Sequence, residues 1–502
     1  MLDFVWGILI LGGSFAMVTA WLWPKVKVSW LNKLTFFLVL SLPFERIPSI
    51  EAGGVNIRIS QVLVLIGFYF LAILLGKSDP EVLKIKLNSF IYWMLAFWVG
   101  LLPSLFFVIN PQRQIQVLIA TALVFGATFL ISNFLKDLLL TVKWLMVVLT
   151  GVGLFGLFQF VADFIGVPYS ITMLREHYTK RVFGFARVHA TALEPLYWGG
   201  MLLFPCIFLL VYFVFKNRLT PKPEVLNHQK TFFNLFYSSK WLQLGVLTLL
   251  YLNLILTLSR GAYLAFVFSL ILASIMSFKF ISWKTVSTWF LPYLIIFTVV
   301  SGIFLLTNNV EKLLVTASDH ILNVFSNKQT STVERLSFLS DAFSLLYQNI
   351  ITGVGSGNYG PRVQNNFPQG DGGWLIVNNV YVEIWLEQGL FAILAFISML
   401  AFYLKEIFQR LLTNIKQYEL DSKNPEVLIL QISILAGVCG YLLQWMTFSP
   451  IFIMPFFILL GLLIKSLELL FFSEIIQKNL FLKTSVSYNF NAFNLLIGNL
   501  EI

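Results

Sequence analysis

The chain has 502 residues, 58% of them hydrophobic and only 12% charged, with a mean hydropathy of +0.82 and a net charge of +10. So few charges cannot cover so much apolar surface in water, which excludes a soluble globular protein of this length and makes lipid part of the solvent. Apolar runs of helical length recur from end to end between short polar breaks, the pattern of a helical bundle rather than a barrel.

The first run, 3–23, lacks a preceding basic n-region and reads as a retained span, not a cleaved signal. Further runs follow at 34–44, 59–76, 88–109, 115–134, 142–167, 193–215, 241–258, 262–280, 286–306, 379–404, 427–448 and 451–471. The expectation is an all-α polytopic transmembrane bundle of about 12–14 spans. Residues 1–306 form spans with short loops, 307–378 a long and partly helical loop, 379–472 the C-terminal spans, and 473–502 a polar cytoplasmic tail. Cys206 and Cys439 fall inside apolar runs and read as small packing residues.

The breaks divide by charge. One set holds about 22 of the 34 basic residues, nearly all lysine, and is therefore assigned to the cytoplasm. This puts the N-terminus outside and the C-terminus inside. The other set is mostly arginine: Arg46, Arg58, Arg113, Arg175, Lys180, Arg181, Arg187, Arg260, Lys312, Lys328, Arg335 and Arg362. A guanidinium binds phosphate or carboxylate with two prongs, whereas lysine is a point charge. Arginines placed against the positive-inside trend point to an anionic ligand at the outer face; snorkelling to headgroups or structural ion pairing is the competing account.

Several segments on that side carry candidate chemistry. The break before the seventh run reads REHYTKRVFGFARVHATALEPLYWGG and ends in Glu194-Pro195, with proline suited to a first helical turn. Glu194 reads as a general base or as a counter-ion to the arginines. The eighth run ends LNLILTLSRGAYLAF, where Asn253, Thr257 and Arg260 are spaced to share one helix face and Gly261 permits a turn or close packing. In the long loop, Ser331 and Glu334 have capping-box spacing, and Leu336, Leu339, Phe343 and Leu346 trace the stripe of an amphipathic helix. GVGSGNYG, with Gly355 and Gly357, follows as a glycine-rich turn, in isolation a weak phosphate signal. The run NNVYVEIWLEQGLFAILAF sets Asn379, Glu383 and Glu387 on one face; with Tyr381 they read as glycan-binding or structural. The two acids would pair with outer arginines or with Gln159, Asp163 or Gln444. The eight aspartates form no DxD pair, and no Walker loop, haem motif or zinc spacing occurs, so neither a metal site nor a cofactor is expected. No nucleic-acid-binding motif is expected either.

In order and spacing, LTLSRGAYLA, ERLSFLSDAFSLLYQNIITGVGSGNYG and NNVYVEIWLEQGLFA resemble the bacterial O-antigen ligase and O-antigen polymerase superfamily, chiefly over residues 193–404. The resemblance implies a metal-independent GT-C type glycosyltransferase of the inner membrane, acting in O-antigen, lipopolysaccharide or exopolysaccharide synthesis. Its substrates would be an undecaprenyl-diphosphate-linked glycan and an acceptor glycan or lipid at the periplasmic face. By position, Arg181 or Arg187, Arg260 and Arg335 would correspond to the family's diphosphate-binding arginines. Ligases of the family carry His-Asn where this chain has Asn378-Asn379, and asparagine takes no proton at neutral pH. Glu194, His189 or Asp371 would then serve as base, or base catalysis is minor; the departure favours a polymerase over a ligase. The alternative is a secondary transporter of a small anion such as bicarbonate, which would place its polar groups near mid-membrane.

Overall fold

The computed structural model describes residues 17, 19–52, 55–78, 89–175, 186–215, 239–306, 330–365, 374–421, 425–448 and 453–467. Residues 3–16 and 18 of the expected first span, Arg181, Asp371 and the polar tail lie outside these residues. In chain order come α1 (Val28–Leu40), a hairpin of β1 (Ser49–Ala52) and β2 (Val55–Arg58), α2 (Ile59–Gly76) and α3 (Ser89–Leu101), which a 3-10 turn extends through Leu102–Phe107. Then follow α4 (Pro111–Phe134), α5 (Leu138–Phe164), α6 (Pro195–Phe215), α7 (Lys240–Leu256), α8 (Arg260–Ser277) and α9 (Trp283–Leu306). The rest are α10 (Thr330–Gln348), α11 (Val380–Gln388), α12 (Leu390–Asp421), α13 (Pro425–Gln444) and α14 (Met454–Leu467).

The chain is an all-α polytopic membrane protein: among the described residues, eight helices are long and apolar enough to cross a bilayer. They are α2, α3 with its 3-10 extension, α4, α5, α6, α8, α12 and α13, while α1, α7 and α14 are shorter apolar helices. The hairpin, which pairs Ser49 with Arg58 in antiparallel register, was not foreseen; its two strands are too short to show an alternating pattern.

At the centre stands α6, apolar all round and wholly buried. Lipid supplies no hydrophobic drive between helices, so close backbone approach at small residues and buried hydrogen bonds must hold them together. Gly199 of α6 lies against Ala262 of α8, and Gly437 of α13 against the Phe204 backbone of α6. Ser269 of α8 donates to the Ala436 carbonyl of α13 at 2.9 Å. Asn253 of α7 is fully buried and satisfied on both sides: its Nδ2 donates to Gly153 O of α5 at 2.9 Å, and its Oδ1 accepts Trp198 Nε1 of α6 at 3.2 Å.

Three expectations need correction. Asn253, Thr257 and Arg260 do not share a helix face, because α7 ends at Leu256, Leu258 turns through φ +47°, and Arg260 is the first residue of α8. Gly261 therefore lies within α8, where it permits close packing against Thr447. The run 379–404 is not one span: α11 stops at Gly389 (φ +88°) and α12 starts afresh, because the loop after α10 inserts its backbone at the break. Val354 and Gly355 donate to the carbonyls of Leu386 and Glu387, and Leu390 donates back to Ile351. Ser331 lies inside α10, not at its cap, and the expected stripe is split: Leu339 and Leu346 pack toward α11, whereas Leu336 and Phe343 are exposed.

Candidate functional site

One end of the bundle gathers the loops that carry the candidate residues. The segment 186–194, ahead of α6, is threaded through this end by a dense set of bonds. Gln159 of α5 is fully buried and reads the segment with its whole amide, accepting from Ala190 N at 2.8 Å and donating to Ala190 O and Thr172 O at 3.1 Å each. Val188 N donates to Leu256 O at 3.0 Å and Arg187 Nε to Thr257 O at 3.0 Å. Both bonds satisfy carbonyls left open at the C-terminus of α7, where a positive charge also complements the helix dipole. On the far side, Arg46 N donates to Thr191 O at 2.9 Å and Thr191 Oγ1 to Pro43 O at 2.6 Å.

This scaffold brings three of the expected arginines together. Arg187 comes from the segment before α6, Arg260 from the first turn of α8 and Arg335 from α10. Burial holds the Arg187 guanidinium below its usual range; Glu194 and Tyr263 oppose that shift, and Arg335 and Arg260 reinforce it. Arg335 is an exposed residue by area, yet its guanidinium is desolvated by the surrounding protein and crowded by Arg260, with Glu194 and Glu334 offsetting. Each arginine thus feels the others, and Glu194 acts on both Arg187 and Arg335. Glu194 is half-buried and its carbonyl accepts the Trp198 amide, so it forms the N-terminal boundary of α6. Guanidiniums desolvated beside one another are poised to take up an anion, since an added negative charge relieves both their repulsion and their lost hydration.

His189 lies elsewhere. It is fully buried, its Nε2 accepts the Arg175 amide at 3.2 Å, and its Nδ1 has no hydrogen-bond partner among the described residues. Burial first, then the charges of Arg46 and Arg175, push it down to about 4. The ring is therefore neutral, with its accepting nitrogen already occupied.

The residues of the α11 motif form a second, structural group. Asn379 caps α11, accepting from Tyr381 N and Val382 N at 3.1 Å each, and donates to Met446 O at 3.2 Å. Tyr381 donates its hydroxyl to Leu442 O at 2.8 Å. Glu383 is buried and accepts the Val377 amide at 3.2 Å. Glu387 does not pair with Gln159, Asp163 or Gln444; it accepts the amides of Gly357 at 2.6 Å and Tyr359 at 3.0 Å. The amides of the glycine-rich turn are therefore taken by the chain's own Glu387 carboxyl group. Asn358 of the same turn accepts Ile109 N and Asn110 N, joining it to the start of α4. Arg113 acts on Glu387 and Arg362 donates to Phe107 O at 2.6 Å, so these two outer arginines serve this joint. Asn378 (φ +61°) is half-buried next to the α11 cap.

Sequence reasoning placed Arg58 among the outer arginines but missed its partner, Glu45. Glu45 is 3% exposed, and Arg58 Nη1 reaches its Oε1 at 3.3 Å. Their only trace in the sequence is two opposite charges flanking a short break, which many surface pairs would also give.

Residues 244–397, from within α7 to within α12, match the O-antigen ligase family model. Over that stretch this membrane protein is similar to the O-antigen ligase family. The O-antigen ligase match takes in about a third of the chain and includes Arg260, Arg335, the glycine-rich turn and the α11 motif. Arg187, Glu194 and the Glu45–Arg58 pair lie N-terminal to it. No curated protein matches the chain at a significant level. The match suggests an enzyme of glycosyltransferase or ligase type, with a lipid-linked glycan and an acceptor as general partners. An anion transporter draws no support from the match.

Proposed function

We propose that this protein is a glycosyltransferase that uses an undecaprenyl-diphosphate-linked glycan at the periplasmic face of the bacterial inner membrane, and that it polymerises O-antigen or exopolysaccharide rather than ligating it to a lipid core. The observation that carries this reading is the convergence of Arg187, Arg260 and Arg335 from three separate elements, with Glu194 acting on Arg187 and Arg335.

In this reading the acceptor hydroxyl oxygen attacks the anomeric carbon of the lipid-linked sugar. The bond from that carbon to the diphosphate oxygen breaks, and the diphosphate leaves with the electron pair. Charge grows on the leaving oxygens, where the guanidiniums stabilise it; groups so placed lower a barrier by several kcal/mol when preorganised and partly desolvated. The positive charge comes from arginine side chains, in keeping with a metal-independent reaction. Glu194 takes the hydroxyl proton, because it is the carboxylate that acts on both Arg187 and Arg335, and His189 is enclosed with its acceptor nitrogen in use. Asp371 and Arg181 retain their proposed roles as an alternative base and a further diphosphate ligand. Asn378 supplies no base where family ligases carry histidine, which favours the polymerase.

The test is complementation of a deletion host. Arg260→Lys and Arg335→Ala are expected to abolish normal glycan chain length. Single capped repeat units then mark a polymerase, and long chains left on the lipid carrier mark a ligase. Unchanged chain length and surface display in both variants would overturn the proposal.

A further inference from the structure

α10 presents three faces of different chemistry. Leu339, Ala342 and Leu346 pack toward α11. Glu334, Asp341 and Gln348 recur at seven-residue spacing and are exposed, as the polar side of a helix in water should be. Leu336 and Phe343 recur at the same spacing and are exposed too, with Tyr347, at 83% exposure, beside them. At 3.6 residues per turn these three fall within about 40° of one another, on the flank between the packed and the polar faces. Single exposed apolar residues need no explanation, whereas an aligned stripe does.

The stripe runs into surface that lipid covers. Ile350 and Ile351 continue it, both exposed, and the Ile351 carbonyl accepts the amide of Leu390, the first residue of the span α12, at 3.1 Å. Phe391, Leu394 and Ile397 of α12 are exposed as well, and apolar residues exposed on a span face acyl chains. Alongside, Gly100 of α3 lies against the Phe391 backbone, and the 3-10 extension of α3 carries Phe106, 86% exposed. Trp385 of α11 donates its Nε1 to Ile350 O at 3.0 Å, which sets an indole beside this boundary, where tryptophan is favoured.

We propose that α10 is an interfacial helix whose stripe of Leu336, Phe343 and Tyr347 is seated in the bilayer leaflet at the site's end of the bundle, with bilayer lipid as its partner. Three faces then have three surroundings: protein on one side, acyl chains on the second, and headgroups and water on the third. Continuity with the lipid-covered flank of α12 favours lipid over a second copy of this chain, which would have to displace lipid from that flank. The contact does not depend on the reaction proposed above. Its consequence for that reaction is the depth of Arg335, which stands four residues before Leu339 on the packed side of the same helix. A seated stripe fixes that guanidinium at the headgroup level, where a lipid-linked anion carries its charge.

The experiment is spin-label accessibility in the full-length protein reconstituted in phospholipid liposomes. No substrate is added, so a polyprenyl tail cannot stand in for bilayer lipid. A nitroxide is attached singly through Phe343→Cys, Tyr347→Cys or Asp341→Cys, in a background with Cys206→Ala and Cys439→Ala. Collisions are read with oxygen, which partitions into lipid, and with a nickel chelate, which stays in water. The oxygen-to-nickel ratio is expected to be severalfold higher for Phe343→Cys and Tyr347→Cys than for Asp341→Cys. Equal ratios at the three positions put the stripe in water and overturn the proposal. Weak collisions with both reagents at the first two mean that protein covers the stripe, a segment of this chain or a second copy, and overturn it as well. If the cysteine-free background does not fold, the unaltered protein is photolabelled with a phospholipid carrying a diazirine high on its acyl chain. Adducts on α10 are then expected beside those on the start of α12; adducts on α12 with none on α10 overturn the proposal.

Discussion

Glu387 Oε2 accepts the Gly357 amide at 2.6 Å, so a carboxylate at the end of α11 closes the glycine-rich turn that follows α10. Its other oxygen takes the Tyr359 amide, and the Tyr359 hydroxyl donates to Phe338 O, so one side chain sets the attitude of α10 and with it Arg335. Glu387→Ala strands two buried amides. It should cost about 2–4 kcal/mol, read as a lower thermal unfolding midpoint in detergent, and activity should fall with it. Glu387→Gln, with one accepting oxygen, should lie between.

Gly353 and Gly389 face each other across the α11–α12 break, both at positive φ. A Cβ on Gly389 would meet Ile351 O at 2.5 Å, and one on Gly353 would meet Gly389 N at 2.6 Å. Both contacts are backbone, which cannot swing aside. Each glycine-to-alanine change should therefore destabilise by more than about 1 kcal/mol, and thermal unfolding of the two variants checks it.

Arg187 is both a ligand candidate and the residue that closes α7 at Thr257 O. Arg187→Lys keeps the charge and loses the Nε bond and the fork. Activity should drop by about 100-fold while the unfolding midpoint falls by only a few degrees. A variant with its activity intact would separate Arg187 from the diphosphate.

His189 gives the fold an acid-side weakness. Its folded value, about 4, lies below the ordinary histidine value of 6.5, so between those limits the unfolded chain binds a proton that the folded chain refuses. The associated stability is fully present above about 6.5 and is lost as pH falls toward 4, by about 3 kcal/mol in all. His189→Gln should flatten this slope when unfolding midpoints are compared across that window, and it should leave glycan polymerisation in place.

The expected span edges fall within a few residues of the observed helices for α2, α4, α5, α6, α8 and α13, because each is a long uninterrupted apolar run. The run 379–404 failed as a single span because of backbone distant in sequence, whereas the expected break between 258 and 262 is where the chain does turn. The loop after α10 splits the run 379–404 at Gly389, and the turn at Leu258 separates Arg260 from Asn253 and Thr257.

The site divides in the same way. Residue type and side of the membrane picked out the arginines as a set, since a guanidinium against the charge trend is visible in sequence. Which arginines belong together was not visible. Arg187, Arg260 and Arg335 gather together with Glu194 acting on the first and last, Arg46 and Arg175 flank His189, Arg58 holds Glu45, and Arg113 and Arg362 brace the α11 joint. By itself the sequence determined that this chain lives in lipid as a helical bundle and which arginines depart from its charge trend, because hydropathy and charge act locally along the chain. Only the tertiary structure decided which charges share a site, which carboxylate faces the arginines and which one closes a turn. Coulomb forces and burial depend on distance in space, and segments far apart in the chain set those distances.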